Sequence, residues 1–148
     1  MRSQAVTRNT SLYVAYSGQK GGKNLDSSEK FILGGANGVR AYPQGEATGD
    51  SGYVANLEFR YNYNANWLPG TLMPFVFADA GEVYINENAF AATPNKRHLA
   101  GGGFGVNWSR SQDFMVKLTL ASRIGKQPSG SSDTDRHTRG WVHLMKYF

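Results

Sequence analysis

The chain has 148 residues, no cysteine, 18 glycines and a net charge of +5, so it holds no disulfide framework and no thiolate metal site. No run approaches the about 18 consecutive apolar residues of a membrane helix, yet a mean hydropathy of −0.48 does not exclude a β-barrel, whose strands alternate lipid-facing and interior residues. The charge is dispersed and forms no basic stripe, which argues against a nucleic-acid partner.

In chain order, the opening MRSQAVTRNT lacks an apolar core, so it does not read as a secretory signal, and it reads as a polar connecting stretch. Helical spacing is nearly absent after it, and period-two alternation dominates. In SLYVAYSG, Leu12, Val14 and Tyr16 share a face. The stretch FILGGANGVRAYPQGEATGDSG, residues 31–52, places Arg40 among glycines. It is no phosphate loop, because no GK[ST] follows and no helical period opens after the glycines. In GYVANLEFRYN, Tyr53, Ala55, Leu57, Phe59 and Tyr61 oppose Asn56, Glu58 and Arg60. TLMPFVFADAGEV sets Leu72, Pro74, Val76, Ala78 and Ala80 against Phe75, Phe77 and Asp79. LAGGGFGVNWS sets Ala100, Phe104, Val106 and Trp108 against Gly101, Gly103, Gly105 and Asn107. FMVKLTLASRIG sets Phe114, Val116, Leu118, Leu120 and Ile124 against Lys117, Thr119 and Arg123. The last segment, GWVHLMKYF, carries Val142, Leu144 and Phe148 on one side. The sequence therefore predicts an all-β chain of about six antiparallel strands, each near the length that crosses a bilayer with tilt.

The connections alternate in length. NYNANWLPG and SRSQD are short or turn-like, whereas NENAFAATPNKR and KQPSGSSDTDRHTRG are longer and polar. Tyr61, Tyr63, Trp67, Trp108 and Phe148 gather near the short turns, as rings do at a membrane–water interface. Loops long on one side and short on the other suit an outer-membrane barrel; alternation alone suits a soluble β-sandwich or small barrel equally well. A strand finishing on Phe148, with Leu144 and Val142 in the same parity, looks like the terminal strand of bacterial outer-membrane proteins, although Lys146 departs from the usual aromatic. No internal repeat or low-complexity linker divides residues 1–148, so one domain is expected.

Catalytic and metal-binding patterns are weak. His98, His137 and His143 lack metal-ligand spacing. Asp133 and Asp135 fall in a Ser-rich loop that reads as solvated rather than calcium-binding. GQKGGKN has no Ser or Thr after its lysine, GGGFG reads as close backbone approach within a strand, and no hydroxyl nucleophile has a base nearby in sequence. No enzyme, metal or cofactor is expected. Arg40 and Asp79 are the exceptions. Asp79 shares the parity of Phe75 and Phe77, so it points away from the small apolar face and into a barrel if that face meets lipid. A carboxylate there needs a cation, and the glycine-rich loop is long enough to bring Arg40 back to it; both residues reading as ordinary solvated charges is the alternative.

LDSSEKFILGGANGVRAYPQGEATGDSG followed by FADAG resembles the two-partner-secretion transporters of the ShlB/FhaC/HecB group, within the BamA-like superfamily. In that family a VRG[YF] tip on the sixth extracellular loop folds into a sixteen-stranded barrel, and its arginine engages the aspartate of an FxDxG motif on the wall. Val39, Arg40 and Tyr42 match the tip, with Ala41 where the wider superfamily has glycine; Phe77, Asp79 and Gly81 match the wall. The resemblance implies the C-terminal portion of the transporter barrel, from about the eleventh strand, without the family's periplasmic POTRA domains or plug helix. It further implies a Gram-negative outer membrane, export and activation of a large β-helical exoprotein such as a haemolysin or adhesin, contact with outer-membrane lipid, and recognition of the C-terminal strand (Val142, Leu144, Phe148) by the barrel assembly machinery. The alternatives are a BamA-type assembly factor and a small stand-alone barrel.

Overall fold

The computed structural model describes residues 2–64, 67–88, 94–125, 128, 130 and 136–148. The strands are Arg2–Ala5 (β1), Thr10–Gln19 (β2), Phe31–Ile32 (β3), Thr48–Gly49 (β4), Ser51–Tyr61 (β5), Thr71–Tyr84 (β6), Lys96–Arg110 (β7), Phe114–Arg123 (β8) and Thr138–Lys146 (β9). Among the described residues, seven of them form one antiparallel sheet in the order β1-β2-β5-β6-β7-β8-β9, and β3 pairs with β4 as a separate ribbon. Each sheet strand lies beside its neighbour in sequence once the β3–β4 loop is set aside, so the wall is a simple meander.

The sheet has one strand more than the six expected. The extra one is β1, read above as a polar connection. It pairs from Arg2↔Val14 to Ala5↔Ser11, and ladder bonds between backbones need no apolar side chains. At the other end the expected strand through Phe148 stops short. β9 ends at Lys146, the Tyr147 N–H donates to the carbonyl of Asp113 in the β7–β8 turn at 2.8 Å, and Phe148 projects fully exposed beyond it. β1 joins β2, β5 joins β6 and β7 joins β8 at one end of the sheet, and β2 joins β5, β6 joins β7 and β8 joins β9 at the other. Gln112 takes a left-handed φ of 59° in the tightest turn, the geometry of a three-residue hairpin. Asp133 and Asp135 lie outside the described residues.

The two faces differ as the alternation requires. On the outer face Leu57, Phe59, Val76, Phe104, Leu118, Leu120, Val142 and Leu144 are 44–70% exposed, an apolar surface far too continuous for a wetted monomer. Rings bound it at both ends. Tyr61, Tyr63 and Trp67 stand exposed at the short-turn end, where Trp108 packs edge-on against Phe114 and donates its Nε1–H to the Pro69 carbonyl at 3.0 Å. At the long-loop end Tyr16 stacks on Tyr53, with ring centroids 6.0 Å apart, and Tyr84 is exposed nearby. Tyr53 and Tyr61 are eight residues apart on β5, about 27 Å along a strand, and tilt of the usual size brings that close to the roughly 25 Å apolar band of an outer-membrane barrel.

The inner face carries the core. Leu33, Val39, Ala41, Tyr42 and Ala47 of the loop 20–50 pack against Val54, Phe75, Phe77, Val83, Leu99 and Ala121 of the sheet. That core exists only because the loop folds back over the wall.

The two faces of β8 give a direct test. Leu118→Arg puts a charge on the apolar band and should cost about 2–4 kcal/mol near a bilayer midplane, whereas Lys117→Gln on the inner face should leave refolding yield nearly unchanged. Equal tolerance at the two sites during refolding into vesicles would reverse the assignment of faces.

Candidate functional site

The loop 20–50 owes its path to a few backbone contacts. Val39 N–H donates to the Leu33 carbonyl at 2.8 Å and Gly38 N–H to the Gly35 carbonyl at 3.1 Å. A side chain at Gly38 would place its Cβ 2.0 Å from the Leu33 oxygen, so only glycine fits this close approach. The Tyr42 N–H then closes back on the Val39 carbonyl at 3.1 Å. Val39–Arg40–Ala41–Tyr42 is therefore a β-turn with the arginine at its corner, and all four residues are buried.

Arg40 and Asp79 meet on the inner face, both under 5% exposed. Nε donates to Asp79 Oδ2 at 2.8 Å and Nη2 to Oδ1 at 2.7 Å, the two-bond fork that a planar guanidinium makes with a carboxylate. The backbone N–H of Arg40 adds a bond to Oδ2 at 3.1 Å. Nη1 reaches a second carboxylate, Glu58 Oε1 at 2.5 Å, and the guanidinium lies 3.6 Å from the centroid of the Phe77 ring. Burial works against the charge on Arg40, but the bonds and charges of Asp79 and Glu58 outweigh it and raise its pKa. Asn56 Nδ2 bridges Asp79 Oδ1 at 2.8 Å to the Gly38 carbonyl at 3.0 Å. Arg60 Nε holds the other oxygen of Glu58 at 2.8 Å.

The β6 register sets this pocket. Asn56 pairs opposite Asp79 and Glu58 opposite Phe77 across β5–β6, while Gly101, Gly103 and Gly105 stand opposite Asp79, Phe77 and Phe75 across β6–β7. A Cβ on Gly103 would come 2.9 Å from Phe77 Cζ and one on Gly105 2.5 Å from Phe75 Cζ. The glycine row lets both rings lie over β7 and frees the space that Arg40 fills. Gly81, the last residue of the wall motif, sits under Leu33, whose Cδ1 is 2.5 Å from where its Cβ would be. Ala41 does not have a positive φ, so alanine carries no backbone strain there. Its methyl rests on Gly101, whose own Cβ would lie 2.5 Å away.

Three further ties hold the loop. Trp141 on β9 donates its Nε1–H to the Arg40 carbonyl at 2.7 Å, joining positions 101 residues apart. Glu46 is buried and pairs with Arg97 Nη1 at 2.7 Å. Asp50, at the loop's end, is fully buried and takes Lys30 Nζ at 3.0 Å, the Leu25 N–H at 3.2 Å and the Glu87 N–H at 2.8 Å. Burial pushes the Asp50 carboxyl up, but those donors prevail and hold it below its ordinary value.

Residues 2–108 match the model of the haemolysin secretion/activation protein family ShlB/FhaC/HecB. The chain belongs to that family. Among curated relatives, the heme/hemopexin transporter protein HuxB from two Haemophilus influenzae strains is 26% identical over 148 residues, which is 98% of this chain and 25% of the relative. The chain thus spans about a quarter of the length of the curated relatives it matches. Among solved structures, CdiB from Acinetobacter baumannii shares the fold with a TM-score of 0.68 and 19% identity, over 99% of this chain and 25% of that one. Within the family frame, the tip residues Val39, Arg40, Ala41 and Tyr42 and the wall residues Phe77, Asp79 and Gly81 come together in one site, whereas Val142, Leu144 and Phe148 lie away from it, on the outer face or beyond β9.

Sequence reasoning did not single out Glu58, Asn56, Gly101 or Trp141 as parts of the site. Alternation already put Glu58 and Asn56 on the polar face of the strand before Asp79, a usable signal; nothing local marked Trp141. The Ala41–Gly101 contact makes a sharp prediction. Gly101→Ala should push the tip off the wall, with an overpacking cost of about 1–3 kcal/mol, and expose the loop to protease. Ala41→Gly in the same molecule should restore protection. A loop equally resistant in all variants would show that this contact does not seat the tip.

Proposed function

We propose that this chain is the C-terminal portion of a sixteen-stranded outer-membrane barrel that exports and activates a large β-helical exoprotein, with loop 20–50 locked inside by Arg40. The seven sheet strands would supply part of its wall, and the apolar outer face would meet lipid. An open sheet cannot stand in a bilayer with bare edges, so β1 and β9 would pair with further strands of the same barrel. The observation that carries the reading is the forked Arg40–Asp79 pair, 2.8 and 2.7 Å long, between a loop tip and a barrel wall. The family match to secretion/activation proteins favours export over barrel assembly. Transport would need no nucleotide and break no bond. Folding of the exoprotein outside would drive it, and the tip would leave the wall to clear a path. The barrel assembly machinery would receive the chain through β9.

The test is secreted exoprotein per unit of folded barrel in the intact transporter. Arg40→Ala leaves two buried carboxylates short of a partner, and breaking such a pair costs about 3–5 kcal/mol in a dry interior and less in a wetted lumen. Secretion should fall sharply in Arg40→Ala and Asp79→Ala while membrane levels fall much less, since the outer face is untouched. Arg40→Lys should also impair export, because an ammonium cannot reproduce the planar fork. Normal secretion from both alanine variants would leave the pair without a role in export.

A further inference from the structure

The inner face holds a cation that the lock does not use. Lys117 on β8 lines two adjoining cavities of about 340 and 220 Å³, both also lined by Arg40, and it shares the larger with Glu58, Asn56 and Arg60. Among the described residues its ammonium has no ion-pair or hydrogen-bond partner. It stands 5.1 Å from the centroid of the Phe75 ring. That ring is the neighbour of Phe77, 6.1 Å away on the same face of β6, so Lys117 repeats one step along the strand what Arg40 does over Phe77.

Removing the tip has unequal consequences for the two carboxylates. Asp79 loses all three Arg40 bonds and keeps the neutral Asn56 amide, whereas Glu58 keeps Arg60 on Oε2 and is left with a bare Oε1 on the cavity that Lys117 lines. We propose that Lys117 is a stand-in cation: when the tip withdraws, its ammonium takes the place of Arg40 against Glu58 Oε1. The proposal rests on the reading above that the tip leaves the wall during transport. While Arg40 is seated it occupies Glu58 Oε1 and adds like charge beside Lys117; when it goes, that repulsion drops and the acceptor opens at once. A lysine suits the role better than an arginine, because a compact charge on a flexible stem can follow the vacated position through open space. Glu58 thereby keeps a donor on each oxygen in the unlocked state, and the tip can return by displacing a single weak pair.

The experiment is acylation of lysines in folded, intact transporter, read at Lys117 by peptide mass spectrometry. In Arg40→Ala the labelling rate at Lys117 should drop at least about threefold relative to the native protein, as expected for a newly formed contact pair. It should recover in Arg40→Ala/Glu58→Gln, where the Glu58 carboxylate no longer receives it. A rate unchanged or raised in Arg40→Ala, or one that stays low without the Glu58 charge, overturns the proposal. Refolding yield provides a second arm should the double variant fold poorly. Lys117→Gln should lower the yield of Arg40→Ala but not of the native protein, and equal effects in both backgrounds overturn it too. No secretion enters either readout, so a failed export assay and a failed stand-in are told apart.

Discussion

Everything on the inner face depends on Arg40 reaching Asp79. The wall presents two carboxylates, Asp79 and Glu58, each under 5% exposed, and carboxylates so placed are tolerated only with charge and hydrogen bonds to meet them. One guanidinium meets both, and its backbone N–H adds to the pairing. The same residue sits at the corner of the turn that brings Val39, Ala41 and Tyr42 into the core. Polar pairing and apolar burial are therefore one event. The turn that buries Val39, Ala41 and Tyr42 is the turn that seats the arginine.

A pair of this kind contributes more to specificity than to stability. Desolvation of the three charged groups consumes much of the attraction between them, and a forked geometry with defined neighbours is what makes one seating better than its alternatives. The wall supports that choice with absences as much as with contacts. Gly101, Gly103 and Gly105 leave the room in which Phe75, Phe77 and the tip lie, and alanine at position 41 is matched by the bare backbone of Gly101. Changing either member of that contact changes the fit of the other.

The loop is fastened at more than one place. Asn56 and Arg60 also donate to the two carboxylates, and Trp141 ties the tip's backbone to β9. The ties at Asp50 and Lys30 lie at the loop's base, well away from the tip in sequence. Base and tip are thus fastened by separate groups of residues. The outer face takes no part in this. Its apolar band and its two rows of rings answer to the surrounding medium alone.

Much of this was legible in the chain. Period-two alternation assigned the outer and inner faces of β2, β5, β6, β7, β8 and β9, because side-chain direction along a strand is a local property. The contrast of short and long connections set which end carries the loops. Two short motifs, around Arg40 and Asp79, marked the partners of the lock through a family resemblance. Where the alternation failed, the structure was being made by the backbone alone: β1 pairs through peptide groups that no side-chain pattern reports, and β9 ends where Tyr147 turns its N–H to Asp113. Only the tertiary structure decided that Glu58 shares the arginine, that Ala41 lies on Gly101 and that Trp141 reaches across 101 residues to the tip. Those contacts follow from strand register and from the path of a long loop, which are set by how the whole wall packs. A linear pattern of side chains states what each residue prefers to face, and only the folded wall states which residue it finds there.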